Sequence, residues 1–336
     1  MLPYPPDYFV ERVRALQQEI RAGVRAQLLQ HPAEVLARAT EGTDGDTQFH
    51  LDLRVERLLL EFCQDWAREV PFVLVAEGIA QDGWLILPEG TPGDQAQFLL
   101  VVDPVDGTRM IMYDKRSAWC LAGIAPNRGR QTTLADIQIA VQTELPTTRQ
   151  HLADTLWAVK GQGAFGERVN LLDGSRYAFQ PRPSRATDLR YGFASVVNFF
   201  PDGKAWLARL EEELYRATGS MDVHGNPLVF ADQYISTGGQ IHELVMGHDR
   251  FIADLRPVAF RQMGLTQLPL CAHPYDICTE LIAREAGAII TDEHGKPLST
   301  PLDIREPVAW VGYANPVLRE RIEPVLLQLL HRGTSP

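Results

Sequence analysis

The amino-acid sequence predicts an α+β fold, with a helix-flanked sheet in the first half of the chain and a smaller α/β second half. Residues 7–30 repeat apolar side chains at three- and four-residue steps, which is the spacing of an amphipathic helix. Five short apolar runs follow between residues 72 and 145, and glycine, proline or aspartate bounds them, as is typical of sheet strands. The second half mixes helical stretches with a strand.

The elements are expected in a definite order. The first helix is stopped by Pro32, and after a Gly/Thr/Asp-rich connection at 40–47 a second helix opens around Asp52. The predicted strands are FVLVA (72–76), WLIL (84–87), FLLVVD (98–103), AWCLAGIA (118–125) and IQIAVQTEL (137–145). The polar stretch 166–192 is the candidate domain boundary. Later helices are predicted near 203–217, 276–286 and 316–331, with a strand in AIITDEHG.

Composition and charge restrict the classes of function. The net charge of −11 argues against a nucleic-acid polymer as partner, because proteins that bind it carry a basic face. No apolar run approaches the roughly 18 residues of a membrane span, and the first residues do not resemble a secretory signal, so we expect no membrane partner. Four separated cysteines suggest reduced thiols in a cytoplasmic protein. An acidic protein acting on an anionic substrate would need cations between the two.

Two aspartates follow the buried run FLLVV. Pro104 ends the strand ladder and Gly107 permits a tight turn, so Asp103 and Asp106 should lie at one edge of the sheet. Two carboxylates on a short turn repel each other unless a cation lies between them, and oxygen ligands of this kind suit Mg²⁺ or Mn²⁺. The following GTRMIMYDK can open a helix whose free N–H groups receive a phosphate.

The same turn has a second interpretation. The pattern D-P-x-D-G also favours an ordinary turn before a helix, so this segment alone leaves both interpretations open.

Five segments in order resemble the inositol monophosphatase-like family, which comprises lithium-sensitive, Mg²⁺-dependent phosphomonoesterases of the fructose-1,6-bisphosphatase superfamily. The segments are LDLRVERLL, VLVAEG, VVDPVDGT, WAVKGQGAF and YDICTELIAREAGAIITDEHGKPL. The resemblance covers about residues 45–315. It implies an αβαβα layered sandwich with a mixed, largely antiparallel N-terminal sheet. The expected domains are 1–180, which binds metal, and 181–336, which supplies the last metal ligand and substrate contacts.

The resemblance also implies the metal ligands. Glu77, Asp103 and the backbone carbonyl of Val105 would hold one ion, and Asp103, Asp106 and Asp276 another. Two or three Mg²⁺ ions are expected, Mn²⁺ can substitute, and Li⁺ and Ca²⁺ inhibit. Taken singly, Glu77 could be a solvated residue at a strand end, and Asp276 could cap a helix.

The implied catalytic groups are Asp52, Glu77 and Thr108. The Thr108 hydroxyl, bonded to Asp52, would orient and deprotonate a metal-bound water, and the Gly107 and Thr108 amides would stabilise charge on the phosphoryl oxygens. Alone, Asp52 could be a helix cap, and Thr108 could bond within its turn. The segment STGGQIHE is the loose counterpart of a substrate-contacting stretch. The expected substrate contacts are Asp106, Gly107, Thr108, Arg109, Gly238 and Gly239.

Two departures from the family pattern bear on the metal site and on specificity. Gly78 stands where a second Glu often follows the first, and PLCAHPYD lacks the acidic residue that binds inositol hydroxyls. Arg109, Lys115 and Arg116 could form a basic rim for a second phosphate, or could be solvated charges on a helix.

The sequence therefore predicts an enzyme that hydrolyses a small sugar or polyol phosphate, with a small phosphorylated metabolite as partner and a homodimer as the expected assembly. The alternatives are a fructose-1,6-bisphosphatase-like or 3′(2′),5′-bisphosphate nucleotidase activity. A haloacid-dehalogenase-type phosphatase would need D-x-D-x-T, which the D-x-x-D-G-T spacing does not match. A non-enzymatic metal- or ligand-binding protein is the remaining alternative.

Overall fold

The computed structural model describes residues 2–37, 39–40, 48–80, 82–222, 226–265 and 268–333. Most of the connection expected at 40–47 lies outside these residues. Within the described helices, none is long and apolar enough to cross a membrane.

The chain begins with a helical layer. Its helices are α1 (Pro6–Gln30), α2 (Ala33–Leu36) and α3 (His50–Trp66), and a short ribbon of β1 (Ala39–Thr40) and β2 (Gln48–Phe49) lies between the last two. Pro5 and Pro6 start α1 without costing a helical hydrogen bond, since the first amides of a helix have no partner within it. Asp52 lies inside the first turn of α3 and is not its cap.

An eight-stranded sheet follows. Its strands are β3 (Phe72–Ala76), β4 (Trp84–Leu87), β5 (Phe98–Asp106), β6 (Ala118–Pro126), β7 (Ile139–Leu145), β8 (Leu152–Val159), β9 (Gly163–Asn170) and β10 (Arg176–Phe179). They lie in the order β10-β9-β8-β7-β6-β5-β3-β4, and only the pair β3–β5 among these neighbours is parallel. The mixed, largely antiparallel sheet is therefore confirmed.

A second sheet of five strands is built from the second half. Its strands are β11 (Gly192–Val196), β12 (Val229–Phe230), β13 (Asp249–Asp254), β14 (Ile289–Thr291) and β15 (Trp310–Tyr313), in the order β12-β11-β13-β15-β14. The remaining helices are α4 (Thr108–Ile111), a 3₁₀ turn (Leu134–Asp136), α5 (Lys204–Ala217), α6 (Thr237–Val245), α7 (Arg256–Gln262), α8 (Glu280–Ala286) and α9 (Pro316–Gly333).

The layers stack as α, β, α, β, α. Helices α1 and α3 cover one face of the first sheet, α6 and α8 lie between the two sheets, and α5 and α9 cover the outer face of the second. In β5, Leu100 and Val102 join the apolar core under α1 and α3, whereas Leu99 and Val101 join the core that continues through α6 and α8. A strand buried on both faces is apolar at every position, which explains the unbroken run before Asp103.

Two boundaries differ from the sequence-based expectation. The polar stretch 166–192 includes the end of β9 and all of β10, because β10 is the exposed edge strand of the first sheet and has little apolar surface to bury. The helix expected at 276–286 begins only at Glu280, and Thr279 is its cap. Asp276 therefore does not cap this helix. The division at residue 180 stays a prediction.

Candidate metal and phosphate site

A break in strand register places the first two aspartates on the same face of the sheet. Asp103 pairs with Leu121 and Asp106 pairs with Trp119, so three steps along β5 match two steps along β6. Without this bulge, residues three apart would point to opposite faces. Both carboxylates instead face the layer that contains α6. They are also well buried, at 7% exposure each.

The turn after β5 depends on Gly107. Its φ is +95°, and a Cβ added there would lie 3.1 Å from the carbonyl oxygen of Ile235. A larger residue would have to adopt a disfavoured backbone conformation against another segment. The helix expected after this turn is a single turn, α4, because Met110 and Ile111 already bond back to Gly107 and the chain turns again at Asp114.

The third aspartate comes from the second half of the chain. Asp276 lies 170 residues after Asp106, yet carboxylate oxygens of Asp103, Asp106 and Asp276 lie within 4.8 Å of one another. The backbone N–H of His273 donates to Asp276 Oδ2 at 2.6 Å and fixes the orientation of that carboxylate. The fold therefore brings these three predicted ligands together.

The start of α6 supports Asp106 from behind. Ser236 Oγ donates to Asp106 Oδ2 at 2.8 Å, and the backbone N–H of Gly238 donates to the same oxygen at 2.6 Å. A Cβ on Gly238 would lie 2.4 Å from the Leu121 side chain, so the close approach requires glycine. The Gly239 amide donates to Ser236 Oγ at 2.9 Å. The Gly238 amide therefore bonds Asp106 directly, and the Gly239 amide bonds the serine that supports it. Among the described residues of α6, Thr237 lines the cavity. Substrate contact by Gly238 and Gly239 stays a prediction.

The Thr108 hydroxyl lies close to the Asp52 carboxylate, as the family resemblance implied. The Thr108 hydroxyl is 2.9 Å from the Val105 carbonyl oxygen and 3.3 Å from Asp52 Oδ1. The Val105 amide in turn donates to Asp103 Oδ1 at 3.0 Å. Since a hydroxyl has one proton, the threonine can exchange between its two acceptors.

Glu77 follows β3 at the same edge, lines the cavity and is exposed. Next to it, Gly78 has a φ of +74°, and a Cβ added there would collide with the carboxylate of Glu56. Glu56 lies one turn beyond Asp52 on α3. Position 78 has no carboxylate of its own, but the Glu56 carboxylate reaches this position from α3.

The buried aspartates carry an electrostatic cost. Burial, together with the negative charges of Asp106, Asp276 and Glu77, raises the pKa of Asp103 well above its ordinary value. Burial and Asp276 also raise the pKa of Asp106, to about 7, although the bonds from Gly238 and Ser236 oppose this. A divalent cation would remove the repulsion that causes both shifts, so oxygen-liganded Mg²⁺ fits this group of side chains.

The aspartates open into a cavity of about 110 Å³. Arg109 and Arg256 are its two cationic side chains among the described residues. Asp254 holds the Arg256 guanidinium through bonds of 2.8 and 2.5 Å. Lys115 and Arg116 line a different cavity, so of these three basic residues only Arg109 lines this one, and a basic rim for a second phosphate stays a prediction. The wall before Asp276 is formed by Leu270, Cys271 and Ala272, so it offers no carboxylate to bind a polyol hydroxyl.

Proteins of known structure or function share this architecture. No family model matches the sequence. A fructose-1,6-bisphosphatase/inositol-1-monophosphatase of Methanothermobacter thermautotrophicus is 23% identical over 287 residues, which cover 85% of each chain. The holo crystal structure of Leishmania major fructose-1,6-bisphosphatase superposes with a TM-score of 0.67 at 14% identity, covering 96% of this chain and 93% of the other. The chain has the inositol monophosphatase/fructose-1,6-bisphosphatase fold.

The inositol monophosphatase from Anabaena has the same fold, with a TM-score of 0.60, 14% identity and 96% coverage of both chains. The resemblance read from the sequence and the αβαβα sandwich that it implied are thereby confirmed.

Several residues around the cavity were not identified from the sequence. Ser236 is one, although its position before a helix start is a recognisable capping signal. Arg256 gave no local signal, because an arginine after Asp254 is indistinguishable from a surface ion pair until the fold buries it.

Proposed function

We propose that this protein is a metal-dependent phosphatase that hydrolyses a small sugar or polyol phosphate monoester. The observation that carries the proposal is the convergence of Asp103, Asp106 and Asp276 within 4.8 Å of one another at the base of one cavity. Asp103 and Asp106 are buried and Asp276 is half-buried, so three carboxylates in such proximity favour a compensating cation, and a cation beside the amides of the Gly107 turn suits a phosphate.

The metal ligands follow from this geometry and the family resemblance. Glu77, Asp103 and the Val105 carbonyl would hold one Mg²⁺, and Asp103, Asp106 and Asp276 a second. Bound Mg²⁺ would lower the pKa of a coordinated water and neutralise phosphoryl charge. Ser236 and Gly238 keep Asp106 oriented toward the ions.

The remaining groups act on the nucleophile and the substrate. Thr108, within bonding distance of Asp52, would orient the attacking water and accept its proton for transfer to the carboxylate. The amides of Gly107 and Thr108 would receive phosphoryl oxygens. Arg109 provides further positive charge at the cavity.

A fructose-1,6-bisphosphatase-like activity is the second candidate. The apolar wall at 270–272 lacks a polyol-binding carboxylate, and the Methanothermobacter relative bears both names. Adenosine 3′,5′-bisphosphate tests the nucleotidase alternative.

Phosphate release from a panel of inositol 1-phosphate, fructose 1,6-bisphosphate and adenosine 3′,5′-bisphosphate tests the proposal. We expect Mg²⁺- or Mn²⁺-dependent release, inhibition by Li⁺ and Ca²⁺, and at least a hundredfold loss in Asp103→Asn and Asp276→Asn, a size typical of lost electrostatic stabilisation. Asp94→Asn, at an exposed loop position, is the matched control. Absence of metal-dependent hydrolysis of any phosphomonoester, with metal binding unchanged in both variants, would refute the proposal.

Two further parts of the proposal concern the protein as a whole. We expect a homodimer, which light scattering of the purified protein would test, and a cytoplasmic location, which cell fractionation would test. The reduced state expected of the cysteines is compatible with the buried free thiols of Cys63, Cys120, Cys271 and Cys278.

A further inference from the structure

A second group of potential ligands lies at the far end of α6. One ligand atom each from His242, Glu243 and His248 can be chosen so that all lie within 4.8 Å of one another. His248 Nδ1 is 2.6 Å from Glu243 Oε2, and His242 Nδ1 is 3.7 Å from Glu243 Oε1. The two imidazole centroids are 6.1 Å apart. None of these residues belongs to the acidic cavity.

His242 has the arrangement of a metal-binding histidine. It is 8% exposed, and its Nδ1 atom has no hydrogen-bond partner among the described residues. Its other nitrogen, Nε2, is 3.2 Å from Asp154 Oδ2, and two bonds from Arg168 hold that carboxylate. A carboxylate bonded to one ring nitrogen fixes the orientation of the ring. Burial lowers the pKa of His242, but the interactions with Asp154 and Glu243 raise it to about 9, so a metal ion would displace a proton to reach the Nδ1 lone pair. The ring also packs against Trp119, with centroids 4.6 Å apart and an interplanar angle of 35°, which restricts its rotation.

We propose that His242, Glu243 and His248 form a binding site for one zinc-like transition-metal ion, separate from the acidic cluster. Two imidazole nitrogens and one carboxylate are a ligand set that Zn²⁺ accepts, whereas Mg²⁺ prefers oxygen ligands alone. His248 Nδ1 and Glu243 Oε2, now 2.6 Å apart, would have to separate to surround an ion at about 2.0–2.2 Å from each ligand atom.

The surroundings leave space for a fourth ligand. His242 and Glu243 line a cavity of about 420 Å³ that also contains Glu144 and Gln150, so water can complete a tetrahedral set. Lys115 and Arg149 also line this cavity, and the cation in contact with Glu243 is Arg116. Its Nη1 bonds Asp232 at 2.6 Å, and its Nη2 is 3.4 Å from Glu243 Oε1, which leaves Glu243 Oε2 for the ion.

Binding would link the end of α6 to the turn that precedes β13. His242 and Glu243 belong to the helix, and His248 immediately precedes Asp249, the first residue of β13. An ion bound only in the folded state stabilises that state by mass action, so Zn²⁺ should raise the unfolding temperature.

Titration with Co²⁺ and Zn²⁺ tests the site. We would use full-length Asp103→Asn/Asp276→Asn protein in excess Mg²⁺, which disables the acidic cluster and makes the result independent of the proposed phosphatase activity. One equivalent of Co²⁺ should bind with visible d–d absorption, and Zn²⁺ should displace it. In this background, His248→Ala and Glu243→Gln should weaken Co²⁺ binding at least tenfold, since each removes one of three protein ligands.

His248 is exposed, so its replacement should leave the fold intact, which circular dichroism without metal would check. His294→Ala is the control, because His294 is also exposed but lies outside the cluster. If the double variant binds no Co²⁺ or Zn²⁺, or if His248→Ala and Glu243→Gln both bind as tightly as their parent, the proposal is wrong and the three residues form only an ion-pair network.

Discussion

Replacing Asp106 by asparagine should stabilise the metal-free protein. Burial and the charge of Asp276 raise the pKa of Asp106 from 3.8 to about 7. At pH 8 the ionised carboxylate therefore costs the folded state up to about 4 kcal/mol, from roughly three pKa units at about 1.4 kcal/mol each. Because neighbouring aspartates share this cost, we expect a gain of about 2–4 kcal/mol. Asparagine keeps an acceptor oxygen for the Gly238 amide and can donate to the adjacent carboxylates.

The sign of the pH dependence follows from the same shift. The folded state holds its proton on Asp106 up to about pH 7, whereas the unfolded chain releases it near pH 4, so the stability of metal-free wild type falls as pH rises between these values. The advantage of Asp106→Asn should accordingly be large at pH 8 and small at pH 5. Added Mg²⁺ should narrow the difference, since wild type gains about 2.7 kcal/mol at a hundred times the dissociation constant and the variant gains less.

Thermal unfolding after chelation, at pH 5 and pH 8 and with and without Mg²⁺, measures these effects. Asp94→Asn is the control, because it removes a charge from an exposed loop. A metal-free Asp106→Asn protein that unfolds at or below the wild-type temperature at pH 8 would show that charge repulsion does not dominate at this site.

Two further predictions concern carboxylates that the proposed metals do not bind directly. Glu56→Gln should raise the Mg²⁺ concentration for half-maximal phosphatase activity several-fold, because it removes a negative charge beside Gly78. Glu61→Gln, exposed on the same helix, is the control and should leave that concentration unchanged. Equal effects of the two substitutions would show that the Glu56 charge does not assist metal binding. Glu285→Gln should lower stability by about 1–3 kcal/mol in urea unfolding, since Glu285 accepts two amide bonds of 2.7 and 2.8 Å from the β8–β9 hairpin. Glu320→Gln, exposed on α9, is the control and should change stability little. If Glu285→Gln changes stability no more than this control, the two amide bonds do not stabilise the hairpin.

Regular elements could be predicted from the sequence wherever burial was uniform. β3 and β4 have the expected bounds, and β6 extends one residue beyond its expected end. An apolar run bounded by glycine, proline or aspartate fits only one strand assignment. β10 was missed, since an edge strand such as RYAF is exposed and has no apolar alternation to detect.

The candidate site was predictable only in part. Asp103 and Asp106 could be inferred from local turn chemistry, but Asp276 could be assigned only by family resemblance, since no local pattern reports a contact across 170 residues. Glu56 was not identified because its position beside Gly78 depends on how α3 packs.

The distance along the chain between Asp106 and Asp276 also has a consequence for biosynthesis. A ribosome-bound chain that has not yet released Asp276 can form the first sheet but cannot assemble the three-carboxylate group. Long-range contacts of this kind form late in folding, so all three carboxylates could hold a metal ion only after Asp276 has reached the first sheet.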